Sequence, residues 1–82
     1  MIDVLYFAWL RERVGAPREQ LETQAATVAD LVTELAARSE GHALAFENLQ
    51  GLRVALDQEL ADFAAPLAGV REVAFFPPMT GG

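Results

Sequence analysis

The chain has 82 residues and a formal net charge of −6, with twelve acidic residues, six arginines, no lysine and no cysteine. This length fits one domain. The acidic surface argues against nucleic acid and anionic membranes as partners, and a basic protein partner is expected. The missing cysteine excludes disulfides and thiolate sites, and His42 alone cannot form a multi-histidine metal site, so we predict no metal. No apolar run approaches the roughly 20 residues that span a bilayer, and we expect no signal peptide, so we predict a cytoplasmic protein with no membrane span.

The first predicted strand covers residues 2–8, where β-branched and aromatic side chains dominate. Side chains alternate between the two faces of a strand, and Asp3 marks one face as the wetter one. Phe7 shares that outer face, whereas Val4 and Tyr6 point to the core.

Two weaker elements follow the first strand. Residues 9–14 are typical of a short helical turn that ends at Gly15. Residues 19–23 then suggest an exposed second strand, which we expect to pair with the first.

The clearest predicted helix covers residues 27–39, and Thr27 is a good N-cap. Its residues at helical spacing form one apolar stripe, which comprises Val28, Leu31, Val32, Leu35 and Ala36. Gly41 is expected to stop this helix. Residues 42–48 could hold one more helical turn, which would carry Leu44, Ala45 and Phe46 against the core.

Charged residues of this region are expected in solvent. His42 is interpreted as a surface residue near a helix start, and Glu34, Glu40 and Glu47 as a solvated face.

The third predicted strand covers residues 52–56, with Arg53 on its outer face and Val54 facing inward. Residues 57–58 can turn the chain, since aspartate tolerates turn conformations well. Residues 59–61 then form a short fourth strand.

The final predicted strand covers residues 71–76. Its outer face carries Glu72, Ala74 and Phe76, whereas Val73 and Phe75 fill the core. If the first and last strands are neighbours, Phe7 and Phe76 form a contiguous apolar patch, as a partner interface would need.

The five predicted strands around one long amphipathic helix predict an α+β domain over residues 1–82, with a small mixed sheet packed on one face by the helix. Two hairpins and one helix match the β-grasp, or ubiquitin-like, fold. In that fold the first and last strands lie side by side and parallel.

Residues 77–82 are predicted to be a flexible tail, because Pro77 and Pro78 cannot continue a sheet ladder. Six extended residues reach about 20 Å, enough to place Gly82 inside another protein's active site. Gly81 has no Cβ and suits a narrow channel.

Two stretches resemble the small subunits of molybdopterin synthase, the ubiquitin-like sulfur carriers of molybdenum cofactor biosynthesis. Residues 4–8 read Val-Leu-Tyr-Phe-Ala and are followed by Leu-Arg-Glu at 10–12. Residues 72–78 read Glu-Val-Ala-Phe-Phe-Pro-Pro and lead into Thr-Gly-Gly at 80–82. The second stretch is the more diagnostic one, and the resemblance covers nearly the whole chain.

The resemblance implies a sulfur carrier that is not catalytic alone. Gly82 would be adenylated by an activating enzyme that uses ATP, converted to a thiocarboxylate, and then used to build the dithiolene from a pyranopterin precursor. The large synthase subunit would be the partner, in a heterotetramer, and this chain would bind no cofactor itself. The implied docking surface comprises Phe7, Leu60 and Phe76, with Pro77, Pro78, Met79 and Thr80 as further partner contacts.

Three positions depart from the family pattern. Val70 and Arg71 replace the usual Gly-Asp, with Gly69 one place earlier, while Asp57 stands where asparagine is common and Met79 where a β-branched residue is common. Three alternatives also stay open: a sulfur carrier for thiamine or another product, a ubiquitin-like protein modifier, and a binding module with an inert tail.

Overall fold

A computed structural model describes residues 1–78 of the chain. Its elements, in chain order, are β1 (Ile2–Tyr6), α1 (Trp9–Val14), β2 (Arg18–Leu21), α2 (Val28–Ala36), α3 (Glu40–Ala45), a short 3-10 turn (Leu49–Gly51), β3 (Arg53–Leu56), β4 (Glu59–Ala61) and β5 (Glu72–Phe76). The strands form one mixed sheet in the order β2-β1-β5-β3-β4. Strands β1 and β5 are parallel neighbours, and the other pairs are antiparallel, which confirms the predicted α+β arrangement.

The core lies between the inner face of the sheet and the helices. Its fully buried side chains come from alternate strand positions and from the apolar stripe of α2, and include Val4, Tyr6, Val54, Val73, Phe75, Val28, Leu31 and Leu35. This alternation confirms the inward residues predicted for the first, third and last strands. Within residues 1–78, the helices are too short or too polar to cross a bilayer.

Helix α2 is shorter than predicted. It begins after Thr27, whose hydroxyl accepts a hydrogen bond from the backbone N–H of Asp30 at 3.2 Å, so the predicted N-cap is confirmed. It ends at Ala36 because Ser39 caps the next helix instead of continuing this one, and its hydroxyl accepts from the N–H of His42 at 3.1 Å.

Gly41 does not stop a helix, so that prediction is wrong. Gly41 lies inside α3, where a Cβ would overlap the backbone carbonyl oxygen of Arg13 at the end of α1. Glycine at this position therefore allows the two short helices to approach closely.

The predicted inward position of Leu44 is also wrong. Leu44 is 52% exposed, whereas the next two residues, Ala45 and Phe46, are buried. Only one side of this six-residue helix faces the core, and His42 and Ala45 lie on that side.

The strand ends differ slightly from the prediction. Strand β1 ends at Tyr6, because the backbone of Ala8 adopts a left-handed φ of 56° and turns the chain into α1. Strand β2 starts at Arg18 and ends at Leu21, two residues earlier than predicted, where Leu21 lies opposite Ile2.

The turn before β5 accommodates the unusual sequence around Val70. Gly69 has a φ of 79°, and the N–H of Val70 donates to the carbonyl of Leu67 at 3.0 Å. This is a four-residue turn with glycine where positive φ is required, so the displaced glycine still serves the turn.

Candidate functional site

Phe7 and Phe76 lie side by side where β5 leads into residues 77–82. Strands β1 and β5 pair in parallel, with Tyr6 opposite Phe75, and the N–H of Phe7 donates to the carbonyl of Phe75 at 3.2 Å. Both Tyr6 and Phe75 are fully buried, so alternation directs the residue that follows each of them to the other side of the sheet. Phe7 is 40% exposed there, and Phe76 is half-buried.

We call this side of the sheet the outer face, defined by Leu5, Phe7, Arg53, Ala55, Leu60, Ala74 and Phe76. The register connects four of them in one row across the sheet: Leu5 is opposite Ala74, Ala74 is opposite Ala55, and Ala55 is opposite Leu60. Two small side chains lie in the middle of this row and a leucine lies at each end. This part of the outer face is therefore an apolar row with small side chains at its centre.

Leu60 was included in the predicted docking surface on resemblance alone, and the register now gives its direction. It pairs with Ala55, one position from the buried Val54, and therefore points to the outer face. It is 75% exposed, the most exposed apolar side chain of that face. About two strand spacings, or 10 Å, separate β4 from β5.

Ala74 is on the predicted face but is not exposed. It is buried because it lies in the middle of the row, on the central strand β5. Pro77 and Pro78 are half-buried, and the predicted site residues Met79, Thr80, Gly81 and Gly82 lie outside the described residues.

The turn between β3 and β4 fixes the start of β5. Asp57 and Gln58 both have left-handed backbones, with φ of 49° and 73°, as a two-residue hairpin turn with right-handed strand twist requires. The Asp57 carboxylate accepts hydrogen bonds from the N–H groups of Arg71 and Glu72, at 3.0 and 2.9 Å. This departure from the family pattern thus has a structural role, because it ties the last strand to the hairpin.

Behind the outer face, a partly buried polar cluster joins β1, β2 and α3. The Tyr6 hydroxyl donates to Glu19 Oε2 at 2.6 Å, and His42 Nε2 lies 2.9 Å from the same oxygen. His42 Nδ1 is 2.7 Å from the hydroxyl of Ser39, and an Arg38 nitrogen lies 3.9 Å from Glu19 Oε1. These contacts hold Tyr6 in place, and therefore also the end of β1, which Phe7 follows.

The position of His42 corrects the sequence prediction. It is only 6% exposed rather than on the surface, and its ring lies edge-on to Tyr6 with the centroids 6.1 Å apart. Nothing in the local sequence indicates this contact, because Glu19 is 23 positions away.

The cluster shifts the pKa values of two of its members. Burial raises the pKa of Tyr6, and the hydrogen bond and charge of Glu19 raise it further. Burial alone would also raise the pKa of Glu19, but hydrogen bonds from Tyr6 and His42, with the charges of His42 and Arg38, outweigh burial and lower it.

We expect Glu19→Gln to reduce the loss of stability in acid. Because the folded pKa of Glu19 is below the unfolded one, its stabilisation is complete above about pH 4.3 and is lost as the pH falls through the folded pKa. The variant should lose about 1.5–3 kcal/mol at pH 7, the usual contribution of hydrogen bonds to a charged group. Urea unfolding at pH 7 and pH 3 measures both effects.

The control for this prediction is Glu47→Gln, since Glu47 is exposed. It should match the parent chain at both pH values. The same pH dependence in Glu19→Gln and the parent chain would contradict the assigned role of Glu19.

Comparison with known proteins gives the family. The ThiS family model matches residues 4–82. The molybdopterin synthase sulfur carrier subunit of Escherichia coli is 45% identical over 82 residues, which is 100% of both chains, and that of Haemophilus influenzae is 40% identical with the same coverage. Among solved structures, SAMP1 from Haloferax volcanii is similar, with a TM-score of 0.75 and 26% identity over 99% of this chain and 98% of that one.

These matches span the outer face, the polar cluster and the turn before β5 together, and they agree with the ubiquitin-like β-grasp prediction. The chain therefore belongs to the ThiS family and to the family of molybdopterin synthase sulfur carrier subunits.

Proposed function

We propose that this chain carries sulfur on Gly82 for the synthesis of molybdopterin, as the small subunit of a molybdopterin synthase. The supporting observation is the parallel pairing of β1 and β5, which brings Phe7 beside Phe76 on the outer face. A docking patch thus lies at the base of the tail, where binding a partner also directs the tail.

The distance from the patch to the reacting group is set by the tail. Residues 77–82 follow Phe76 directly and span about 20 Å when extended. Pro77 and Pro78 restrict the backbone, so less conformational entropy is lost when the tail is bound. The two terminal glycines lose more entropy, and contacts of the outer face offset that cost.

The chemistry requires activation before sulfur is added. A carboxylate is a poor acyl donor, and the carboxyl of Gly82 is an anion at neutral pH. Attack of the carboxylate on the α-phosphate of ATP forms an acyl adenylate and releases pyrophosphate, and a nucleophile at the oxidation level of sulfide then displaces AMP to leave the thiocarboxylate. With no cysteine in the sequence, this terminal group is the place where the chain can hold transferable sulfur.

Two partners follow from this chemistry. An adenylating and sulfurating enzyme consumes ATP, and the large synthase subunit then receives the tail and the pyranopterin precursor. We propose that the outer face contacts both in turn, and that two small and two large subunits form a heterotetramer. ATP belongs to the activating enzyme, and the carrier contributes the acyl group.

The test is to mix the thiocarboxylated chain with the large subunit and precursor and to measure dithiolene product, with Phe76→Arg as the variant. Loss of a central aromatic contact and burial of an unpaired charge should weaken the complex at least about 30-fold, which corresponds to a hot-spot loss of 2 kcal/mol or more. Binding is measured by calorimetry.

The control is Glu47→Arg, at an exposed position of the helix layer, which changes the net charge in the same direction. This variant should bind and react like the parent chain. Equal affinity of Phe76→Arg and the parent chain would show that the outer face is not the docking surface, and unfolding of the variant would show that Phe76 belongs to the core.

A further inference from the structure

Arg53 places a positive charge on the outer face beside the base of the tail. It lies directly opposite Phe76 in the β3–β5 register, and its neighbour Val54 is buried, so the Arg53 side chain points outward. Arg53 is exposed. It therefore borders the apolar patch that the proposed function assigns to docking.

The charge of Arg53 has no ionic partner among residues 1–78, where no carboxylate lies within 4 Å of it. Its Nη1 makes only a long contact of 3.4 Å with the adjacent carbonyl of Leu52. Continuing the β3–β4 register would bring Asp62 alongside, but the Asp62 carboxylate accepts from the N–H of Ala64 at 2.9 Å.

Three of the other five arginines are already engaged in the fold by ion pairs or a ring contact. Arg18 pairs with Asp3 at 3.6 Å, and Arg38 with Glu19 at 3.9 Å. Arg13 lies 4.4 Å from the centroid of the Trp9 ring and donates to a backbone carbonyl. Arg53 is thus available to a second protein in a way that these three are not.

Docking on this face would remove water from Arg53 as well as from its apolar neighbours. A guanidinium that loses water without gaining a carboxylate partner strongly disfavours a complex. We propose that Arg53 is a specificity-determining residue that selects partners with an aspartate or glutamate beside the apolar contact for Phe76. This inference rests on the proposed function, and the partner that Arg53 would select is the large synthase subunit.

The charge of the whole chain makes this requirement distinctive. With a net charge of −6, the chain attracts partners with a basic surface. Arg53 inverts that pattern at one point, so the matching surface is basic around its edge and acidic opposite Arg53. A basic apolar surface without that carboxylate would be attracted to the chain but would bind it poorly.

The experiment measures affinity for the large synthase subunit by calorimetry at several salt concentrations, with Arg53→Glu and Arg53→Gln as variants. We expect Arg53→Glu to weaken binding at least about 30-fold and Arg53→Gln at least about tenfold, because the partner carboxylate is left unpaired or faces a like charge. The control is Arg71→Glu, which changes the net charge equally at the far end of β5 and is also exposed. Thermal unfolding checks that each variant is folded.

Each outcome decides one statement. No binding by the parent chain would overturn the proposed function itself. If the parent chain binds and Arg53→Glu and Arg71→Glu lose affinity equally, the selector role is overturned and the docking surface stands. If Arg53→Glu does not fold, unchanged affinity of Arg53→Gln leads to the same conclusion. Rescue of Arg53→Glu by an acid-to-arginine substitution in the large subunit would identify the partner residue.

Discussion

Deleting Gly82 should abolish formation of the dithiolene product while the domain stays as stable as before. The deletion moves the carboxyl group to Gly81 and shortens the tail by about 3.3–3.6 Å. A displacement of 1 Å at a reacting centre can cost about 100-fold in rate, so we expect a loss larger than that. The product is measured with the large subunit, precursor and a sulfur-loading system present.

Two further measurements locate the defect. Mass spectrometry shows whether a terminal oxygen has been replaced by sulfur, and thermal unfolding shows whether the β-grasp domain is intact. Full product formation by the shortened chain would contradict the assignment of the reacting atom to Gly82. Adducts of the parent chain on lysines of other proteins, without thiocarboxylate, would instead support a protein modifier.

Phe75→Ala should have the largest effect on stability of any single change in β5. Phe75 is fully buried, its ring contacts Phe46 edge-on with centroids 4.9 Å apart, and it stacks on Tyr6 at 6.5 Å. Truncating such a residue leaves a cavity and usually costs about 3–5 kcal/mol, a large part of the stability of a small domain. Chemical denaturation measures the change in free energy of unfolding.

The neighbouring residue supplies the control. Phe76→Ala makes the same chemical change one position later, but on the outer face, where the ring is half-buried. It should cost much less stability and reduce affinity for the large subunit. Equal destabilisation by the two variants would show that the two faces of β5 are not distinguished as the register indicates.

Alternation along the strands was enough to predict most of the outer face. One charged residue in each of β1, β3 and β5 marked the outer face, and the structure confirms the buried positions between them. The same alternation gave Phe7 and Phe76 their direction. Their adjacency needed the parallel pairing of the first and last strands, which the fold class supplied.

Short elements were predicted less well, because their contacts come from distant residues. Helix α3 has six residues, too few for periodicity to show which side is buried, and the positions of His42 and Leu44 were both wrong. Gly41 has the sequence properties of a helix stop, yet its role depends on the backbone of Arg13, 28 positions earlier.

The outer face also needed the register between strands. Leu60 lies beside a glutamate, and alternation alone did not give its direction, which follows from its pairing with Ala55. The apolar row across this face depends on Ala55 and Ala74 meeting in neighbouring strands. Pairing across a sheet is a long-range property, and one sequence does not specify it locally.

The separation of the outer face from the helix layer makes the chain suitable for single-site labelling. Because the sequence contains no cysteine, Glu47→Cys would provide one thiol for a fluorophore on an exposed residue that follows α3. A dye attached there leaves the outer face and the base of the tail unmodified. Anisotropy of the labelled chain could then follow the proposed handover from the activating enzyme to the large subunit in real time.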